Sequence, residues 1–420
     1  MNKKDFQFDV VILGGGPSGL MAAIAAAREG TKVALVEKNE AIGKKLLMTG
    51  NSRCNITQAE FDIAKFISNY GKKGKFLFSS FSDFGPQETV DFFEKNGLKL
   101  KTEKSGKIFP LSDKSSDVAE FLRKCLKDNG VKFFPKSEVE NFEIEGDKIS
   151  KVELKKGEIV AKNYILAMGG KSYPHTGSTG KGFSLAEKLG HKIHKPKPAL
   201  SPIKIKEDWL KKSQGISLRG AGICVYQNGK KVFCENGDLI FTHFGLSGPM
   251  IINISRRVED LLESGEVEIR IDTKPGLSFE KLDEVLRGEF QKNASKKLQN
   301  CMQDFYSPKF LELILELGGL DKGKHAGKIS KFERKKIIEL SKELSMKVEG
   351  IFGFDKAMVT SGGVDLKEID SKTMQSKIVK NLFFAGEILD LDGPTGGYNL
   401  QICWSTGHAA GKWAAISAFE

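Results

Sequence analysis

Two glycine-rich stretches, near opposite ends of the chain, place backbone amides and acids at spacings that could do chemistry. In the first, Gly14-Gly15-Gly16-Pro17-Ser18-Gly19 is a G-x-G-x-x-G run between an apolar segment, residues 10–13, and an alanine-rich one, residues 20–29. A buried strand, such a run and then a helix is the arrangement that seats a diphosphate. Gly14 permits the turn, Gly16 lets backbone approach phosphate oxygens, and Gly19 lets the helix pack close to the sheet. The N–H groups at the helix start, opened by Pro17 and Ser18, and the positive end of its dipole meet the anion. A second apolar run, residues 32–36, ends at Glu37, followed by Lys38. The Glu37 carboxylate can accept hydrogen bonds from both ribose hydroxyls of an adenosine and repels a 2′-phosphate. This fingerprint specifies a dinucleotide without saying which.

The far stretch chooses between them. Residues 381–411 read NLFFAGEILDLDGPTGGYNLQICWSTGHAAG: a strand-like run ending in Gly386-Glu387, a glycine-rich loop, and a helical pattern from about Tyr398. In flavoproteins of the glutathione-reductase type, a late strand ends in glycine plus an acid near the ribitol or phosphate. The next helix aims its N-terminus at the flavin pyrimidine, where the dipole stabilises negative charge on the reduced ring. The segment therefore favours FAD over NAD as the bound cofactor.

With these two stretches, GKKLLMTGNSRCN from Gly43, AMGGKSYPHTGSTGKG from Ala167 and THFGLSGP from Thr242 complete a series of motifs running in order along nearly the whole chain. In them the sequence resembles the BaiN/RdsA-type (YhiN-like) family of NAD(P)/FAD-dependent oxidoreductases. The resemblance implies an α/β fold: an FAD-binding Rossmann-like domain of the glutathione-reductase type, split by an inserted β-barrel plus helical domain. The FAD domain is expected over residues 1–195 and 355–420, and the insert over 196–354, with its barrel at about 199–275 and its helices at about 276–350. By motif match, Gly14, Gly16, Pro17, Ser18, Gly19, Glu37, Lys38, Lys45, Gly50, Asn51, Arg53, Cys54, Gly386, Glu387, Gly396, Gly397, Tyr398 and Asn399 are expected at the cofactor. So is the strand end Gly169-Gly170, and Val139 is expected to give a backbone contact to the adenine. Ser52 stands where many relatives carry glycine.

The elements that must hold these residues are partly legible. Residues 115–128 read as a helix, 138–154 as a hairpin across Gly146-Asp147, and 164–168 as a third parallel strand. Lys195-Pro196-Lys197-Pro198 reads as a break in regular structure. Beyond it, residues 216–233 read as two strands around an Asn228-Gly229 turn. Residues 238–243 and 267–272 read as two further strands, with a helix at about 249–263 between them. Residues 279–344 read as helical, and 357–360 as a return to strand.

Hydride chemistry would belong to the flavin, so the protein needs only to position a substrate and supply a proton. There is no second G-x-G-x-x-G run, so NAD(P)H is expected as a transient reductant rather than a permanently docked one. Cys54 follows Arg53, whose charge favours a thiolate, and is a candidate proton donor; its rival reading is a small residue packed on the ring. Tyr173, beside His175 in a glycine-rich loop, and His243, at a strand end of the insert, are the other catalytic candidates, and each also reads as a structural hydrogen-bonder. His191 and His194 lack a partner cluster, so no metal site is expected.

Composition bounds the partners. Of the 420 residues 40% are hydrophobic and 29% charged, and no apolar run reaches membrane-span length, so a globular cytoplasmic protein is expected. The six cysteines are scattered without a C-x-x-C pair and read as reduced thiols. The net charge of +12 concentrates in residues 192–233, a local +8, and 321–336, a local +5, both assigned to the insert. This fits either a polyanion partner such as RNA, with no DNA or membrane expected, or a lysine-rich surface without a partner. Three functions follow: reduction of a uracil in ribosomal RNA to dihydrouridine, reduction of small conjugated ketones of the 3-dehydro bile acid type, or a non-catalytic flavin-bearing RNA- or partner-binding protein.

Overall fold

The computed structural model describes residues 7–420 and divides them into two compact units, 7–199 with Phe354–Glu420, and Leu200–Gly353. The first is built on five parallel strands, β1 (Phe8–Leu13), β2 (Val33–Val36), β3 (Lys132–Phe134), β4 (Ala161–Leu166) and β5 (Leu382–Phe384). Their order across the sheet is β5-β4-β1-β2-β3. Apolar runs such as Val10–Leu13 are buried because both faces of the sheet are covered. After β1 the chain builds outward to one side through β2 and β3, then returns to place β4 on the other side of β1. That reversal opens a crevice at the carboxyl ends of β1 and β4.

Helix α1 (Pro17–Arg28) leaves β1 at this crevice, and helix α2 (Tyr398–Ile416) follows β5. The two pack backbone to backbone. A Cβ on Gly407 would stand 2.4 Å from the Ser18 carbonyl oxygen, and one on Gly411 2.2 Å from that of Ala22. Small residues on α2 thus bring the terminal segment against the start of the first helix, a long-range contact that fixes both glycine-rich stretches in one unit.

The second unit contains a closed barrel of six strands. Ser217–Gln227 and Lys230–Thr242 pair antiparallel around Asn228-Gly229, and Ile223, Val225, Leu239 and Phe241 point into its core. The helices Phe279–Lys292, Pro308–Gly318 and Lys331–Lys342 share that core.

Several expectations change here. The Lys-Pro-Lys-Pro segment is not a break: Ile193–Ala199 is a strand paired antiparallel with Val359–Val364, and a register shift between His194 and Lys197 accommodates Pro196. Residues 238–243 are the continuation of the long strand Lys230–Thr242 rather than a separate one. Leu344–Ile351, at the end of the stretch expected to be helical, is a barrel strand in which Leu344, Met346 and Val348 are buried alternately.

The thiol reading also changes. Cys224 and Cys234 lie directly opposite each other across the hairpin, with Cα atoms 4.1 Å apart, and form a disulfide. The hairpin register brings together two residues that the C-x-x-C criterion does not connect. Finally, the basic excess is not confined to the insert. Residues 200–353 hold 26 Lys and Arg against 22 Asp and Glu, a net +4, because acids elsewhere in the same unit offset the two basic segments. Lys192, Lys195 and Lys197 belong to the first unit.

Candidate cofactor and active site

The first glycine-rich run behaves as three different glycines. Gly14 has φ +114°, and a Cβ there would stand 2.4 Å from the Ala167 carbonyl oxygen. A Cβ on Gly19 would stand 1.9 Å from the Gly14 carbonyl oxygen, so the first turn of α1 rests directly on the loop. Around the Cβ position of Gly16 nothing lies within 4 Å: this glycine faces open space. The space belongs to an open cleft whose walls include Gly14, Gly16, Glu37, Lys38, Lys45 and Val139. Helix α1 starts there with Pro17 in its first turn and no side-chain cap, leaving its first N–H groups for an anion.

The acids and lysine of the cleft are held by a defined set of partners. One Glu37 carboxylate oxygen accepts from the Gly15 N–H at 2.7 Å; the other accepts from the Asn39 backbone N–H at 2.8 Å and from Asn39 Nδ2 at 2.7 Å. Asn39 Nδ2 also donates to the Thr176 carbonyl at 3.0 Å, tying the acid to the loop after β4. Lys45 Nζ donates to Ser172 Oγ and to Glu387 Oε2, both at 2.7 Å. Glu387 Oε1 accepts from Ser172 Oγ at 2.9 Å and from the Thr360 N–H at 2.7 Å. The segment around Lys45 is therefore joined to the far glycine-rich stretch through one ion pair and two buried hydroxyl residues.

At the far stretch, Gly386 (φ +80°) lies against Ser18, whose Oγ would be 2.4 Å from a Cβ there. Gly397, with φ +99°, caps α2, and the helix begins without a side-chain cap. The Asn399 and Tyr398 side chains turn into the protein. Asn399 Oδ1 accepts from the Gly393 N–H at 2.9 Å and its Nδ2 donates to the Gly393 carbonyl at 2.8 Å, holding the loop closed. The Tyr398 ring packs 4.7 Å from Phe66. What these two residues offer a ligand is backbone N–H. Beside them Gln58 Oε1 is buried without a partner, an acceptor that a ring N–H would satisfy. An amide-rich helix start, an acid at the end of β2, a lysine and room at Gly16 form a set of groups that fits FAD.

The loop between these parts is strained. Gly50, Asn51, Ser52 and Cys54 all have positive φ, between 55° and 64°, a region that non-glycine residues rarely occupy. Cys54 at its end is fully buried, and burial pushes its thiol up to about 12. Arg53 points elsewhere: its guanidinium lies 2.6 Å from both Glu103 and Asp113 and 3.9 Å from the centre of the Phe109 ring. The expected Arg53-assisted thiolate is thus corrected, since the cation is paired with two carboxylates and the sulfur sits in an apolar interior. Gly50 and Asn51 are exposed and lie outside the cleft wall, and Gly170 packs on Thr360, whose Oγ1 would be 2.4 Å from a Cβ there.

Tyr173 also has positive φ, 51°; its N–H donates to the Phe354 carbonyl at 2.9 Å, and burial raises its phenol above the usual value. His243 is exposed in a turn of the second unit, its ring 4.8 Å from that of Phe244. The two catalytic candidates thus belong to different units. Sequence reasoning missed Asn39, Ser172, Thr360 and the Thr176–Ser178 corner of the cleft. Ser172 and Thr176 lie inside a quoted motif, but a hydroxyl in a loop carries no spacing signal.

The five-stranded order, the switch-point cleft and the linked terminal helix define an FAD-dependent oxidoreductase. A model of the HI0933-like protein Rossmann domain matches residues 8–413. The chain belongs to this HI0933-like family. It is 33% identical over 408 residues, 96% of this chain and 98% of the relative, to the 3-dehydro-bile acid delta(4,6)-reductase of Clostridium scindens. It is 30% identical over 406 residues, 95% and 96% of the two chains, to the ribosomal RNA dihydrouridine synthase of Haemophilus influenzae. In fold it is similar to the 3-ketosteroid-delta4-(5alpha)-dehydrogenase of Rhodococcus jostii, with TM-score 0.53, 15% identity, and 99% and 98% of the two chains covered. Among the described residues, no helix is long and apolar enough to cross a membrane.

Proposed function

We propose that this protein is a cytoplasmic, NAD(P)H-fed reductase of a carbon–carbon double bond conjugated to a carbonyl, and that its substrate is a uracil of ribosomal RNA. The observation that carries the shared chemistry is the full-length similarity to two reductases of different names. A uracil C5=C6 bond and an enone pose one problem: hydride to the β-carbon, a proton to the α-carbon, and stabilisation of the enolate between them. When bound, FAD supplies the hydride-transfer chemistry. The chain's own residues do the rest. The α1 amides, Glu37 and Lys45 hold the nucleotide, and the first-turn amides of α2 favour negative charge near them. Tyr173 is the proposed proton donor; burial raises its phenol above the usual value, so it carries its proton at neutral pH.

RNA is supported by exposed cations of the barrel that have no carboxylate partner among the described residues: Lys206, Arg219, Lys230 and Lys231. Such cations supply phosphate contacts whatever the net charge of the unit. A small conjugated ketone is the second reading, favoured by the 33% identity to the bile acid reductase. Nucleoside mass spectrometry of ribosomal RNA from a deletion strain tests the first: one dihydrouridine is expected to vanish and to return with the gene. Unchanged dihydrouridine, with rapid enone turnover by the purified NAD(P)H-reduced enzyme, would transfer the assignment to the second.

A further inference from the structure

Ser172 has no open face: it is fully buried, outside the cleft wall, between Lys45 and Glu387. Its hydroxyl does two things at once. The oxygen accepts from Lys45 Nζ at 2.7 Å and the proton goes to Glu387 Oε1 at 2.9 Å. Its backbone N–H donates to Thr360 Oγ1 at 3.1 Å, and that hydroxyl also accepts from the Lys171 N–H at 2.7 Å. The loop after β4 is thereby pinned to the strand Val359–Val364.

Lys45 is the member of this network that reaches the cleft. An ammonium has three N–H donors. Two are committed, to Ser172 and Glu387, and both fix the direction of the third. A lysine left to itself samples many rotamers, and ordering one opposes anion binding by the entropy of the side chain. Glu387 alone would not prevent this, since a single ion pair lets the ammonium swing about the carboxylate.

We propose that Ser172 is a positioning residue for the cofactor diphosphate: with Glu387 it holds the Lys45 ammonium so that its remaining N–H faces an anion seated on the start of α1. The role rests on the FAD reading of the cleft, but it concerns the diphosphate alone, so ligands lacking the flavin test it.

The experiment is calorimetric titration of flavin-stripped protein with ADP and, separately, with adenosine, for wild type, Ser172→Ala, Lys45→Met and the double variant. ADP binding is expected to weaken about ten-fold in Ser172→Ala while adenosine binding stays unchanged, since only the charge-assisted contact is loosened. Lys45→Met should weaken ADP at least as much, and adding Ser172→Ala to it should do nothing more. The salt dependence of ADP binding should fall in both single variants. Equal weakening of ADP and adenosine would show general loosening of the loop and overturn the proposal. So would full additivity of the two substitutions, or unchanged ADP affinity in Ser172→Ala. If no protein binds ADP or adenosine at all, the nucleotide reading of the cleft itself fails, an outcome distinct from failure of the Ser172 role.

Discussion

The Gly14 carbonyl oxygen lies where a side chain on Gly19 would have to begin, 1.9 Å from its Cβ position, whereas Gly16 between them faces nothing within 4 Å. The two glycines are therefore required for different reasons, packing in one case and ligand access in the other. Gly19→Ala must push α1 off the loop, and a displaced backbone contact of this kind costs about 2–4 kcal/mol. Gly16→Ala has an ordinary φ of −82° and no protein neighbour to strike, so the folded apoprotein should keep its melting temperature. It should nonetheless lose FAD, because the methyl occupies the space that the cleft provides. Thermal melts with and without FAD check both. A Gly16→Ala protein that binds FAD normally would remove the diphosphate from that position.

Ser52 shows how far the sequence could be read. The sequence marks it only as a departure from glycine; the structure adds the reason a glycine suits the position, a φ of +64° on an exposed residue. Ser52→Gly relieves the left-handed strain, worth about 1–2 kcal/mol, while adding about 0.4–1 kcal/mol of unfolded-state entropy. The net expectation is a gain of about 0–1.6 kcal/mol in urea unfolding. A loss of stability would show that the Ser52 side chain makes a contact that matters.

The same contrast runs through the molecule. The β1–α1–β2 unit and the link from β5 to α2 were legible because each element's neighbours in sequence are its neighbours in space. Residues 344–351 alternate apolar and polar as a strand should, yet the helical run before them obscured the change of period. Cys224 and Cys234 meet only because a hairpin register sets them opposite each other. Ser172 and Thr360 are joined to Glu387 by folding alone, and no spacing announces them.

His191 gives a pH dependence with a definite sign. Its ring is buried between Glu368 and Ser376, with Nδ1 at 3.2 Å from Glu368 Oε2 and Nε2 at 3.0 Å from Ser376 Oγ. Ser376 Oγ already accepts from the Ile378 and Val379 N–H groups, so its proton goes to Nε2, and the ring proton sits on Nδ1 facing Glu368. Burial depresses the imidazole below its ordinary 6.5, and Glu368 only partly opposes this. Above pH 6.5 both folded and unfolded rings are neutral and the full stability is present. As pH falls below that value the unfolded chain takes up a proton that the folded ring refuses, so stability declines until the folded pKa is passed. His408, also depressed by burial, adds a second such group. Urea unfolding between about pH 7.5 and 5.5 should lose stability at up to about 1.4 kcal/mol per pH unit for each group. His191→Gln should flatten the slope by one proton, and an unchanged slope would mean that His191 titrates normally.

Tyr173 and Cys54 make opposite predictions in one assay. Tyr173→Phe removes the proposed proton donor while keeping the ring that fills its site, so turnover should fall about 100-fold with FAD still bound. Cys54→Ala removes a sulfur that is fully buried and protonated, so turnover should stay within about two-fold. The cavity left behind should lower stability by about 1 kcal/mol. Alkylation adds an independent reading: a thiol pushed up to about 12 and sealed from solvent should resist iodoacetamide in the native protein at pH 8 and react once urea opens the fold. Rapid native labelling of Cys54, together with loss of turnover in the alanine variant, would return the thiol to the catalytic centre and displace Tyr173.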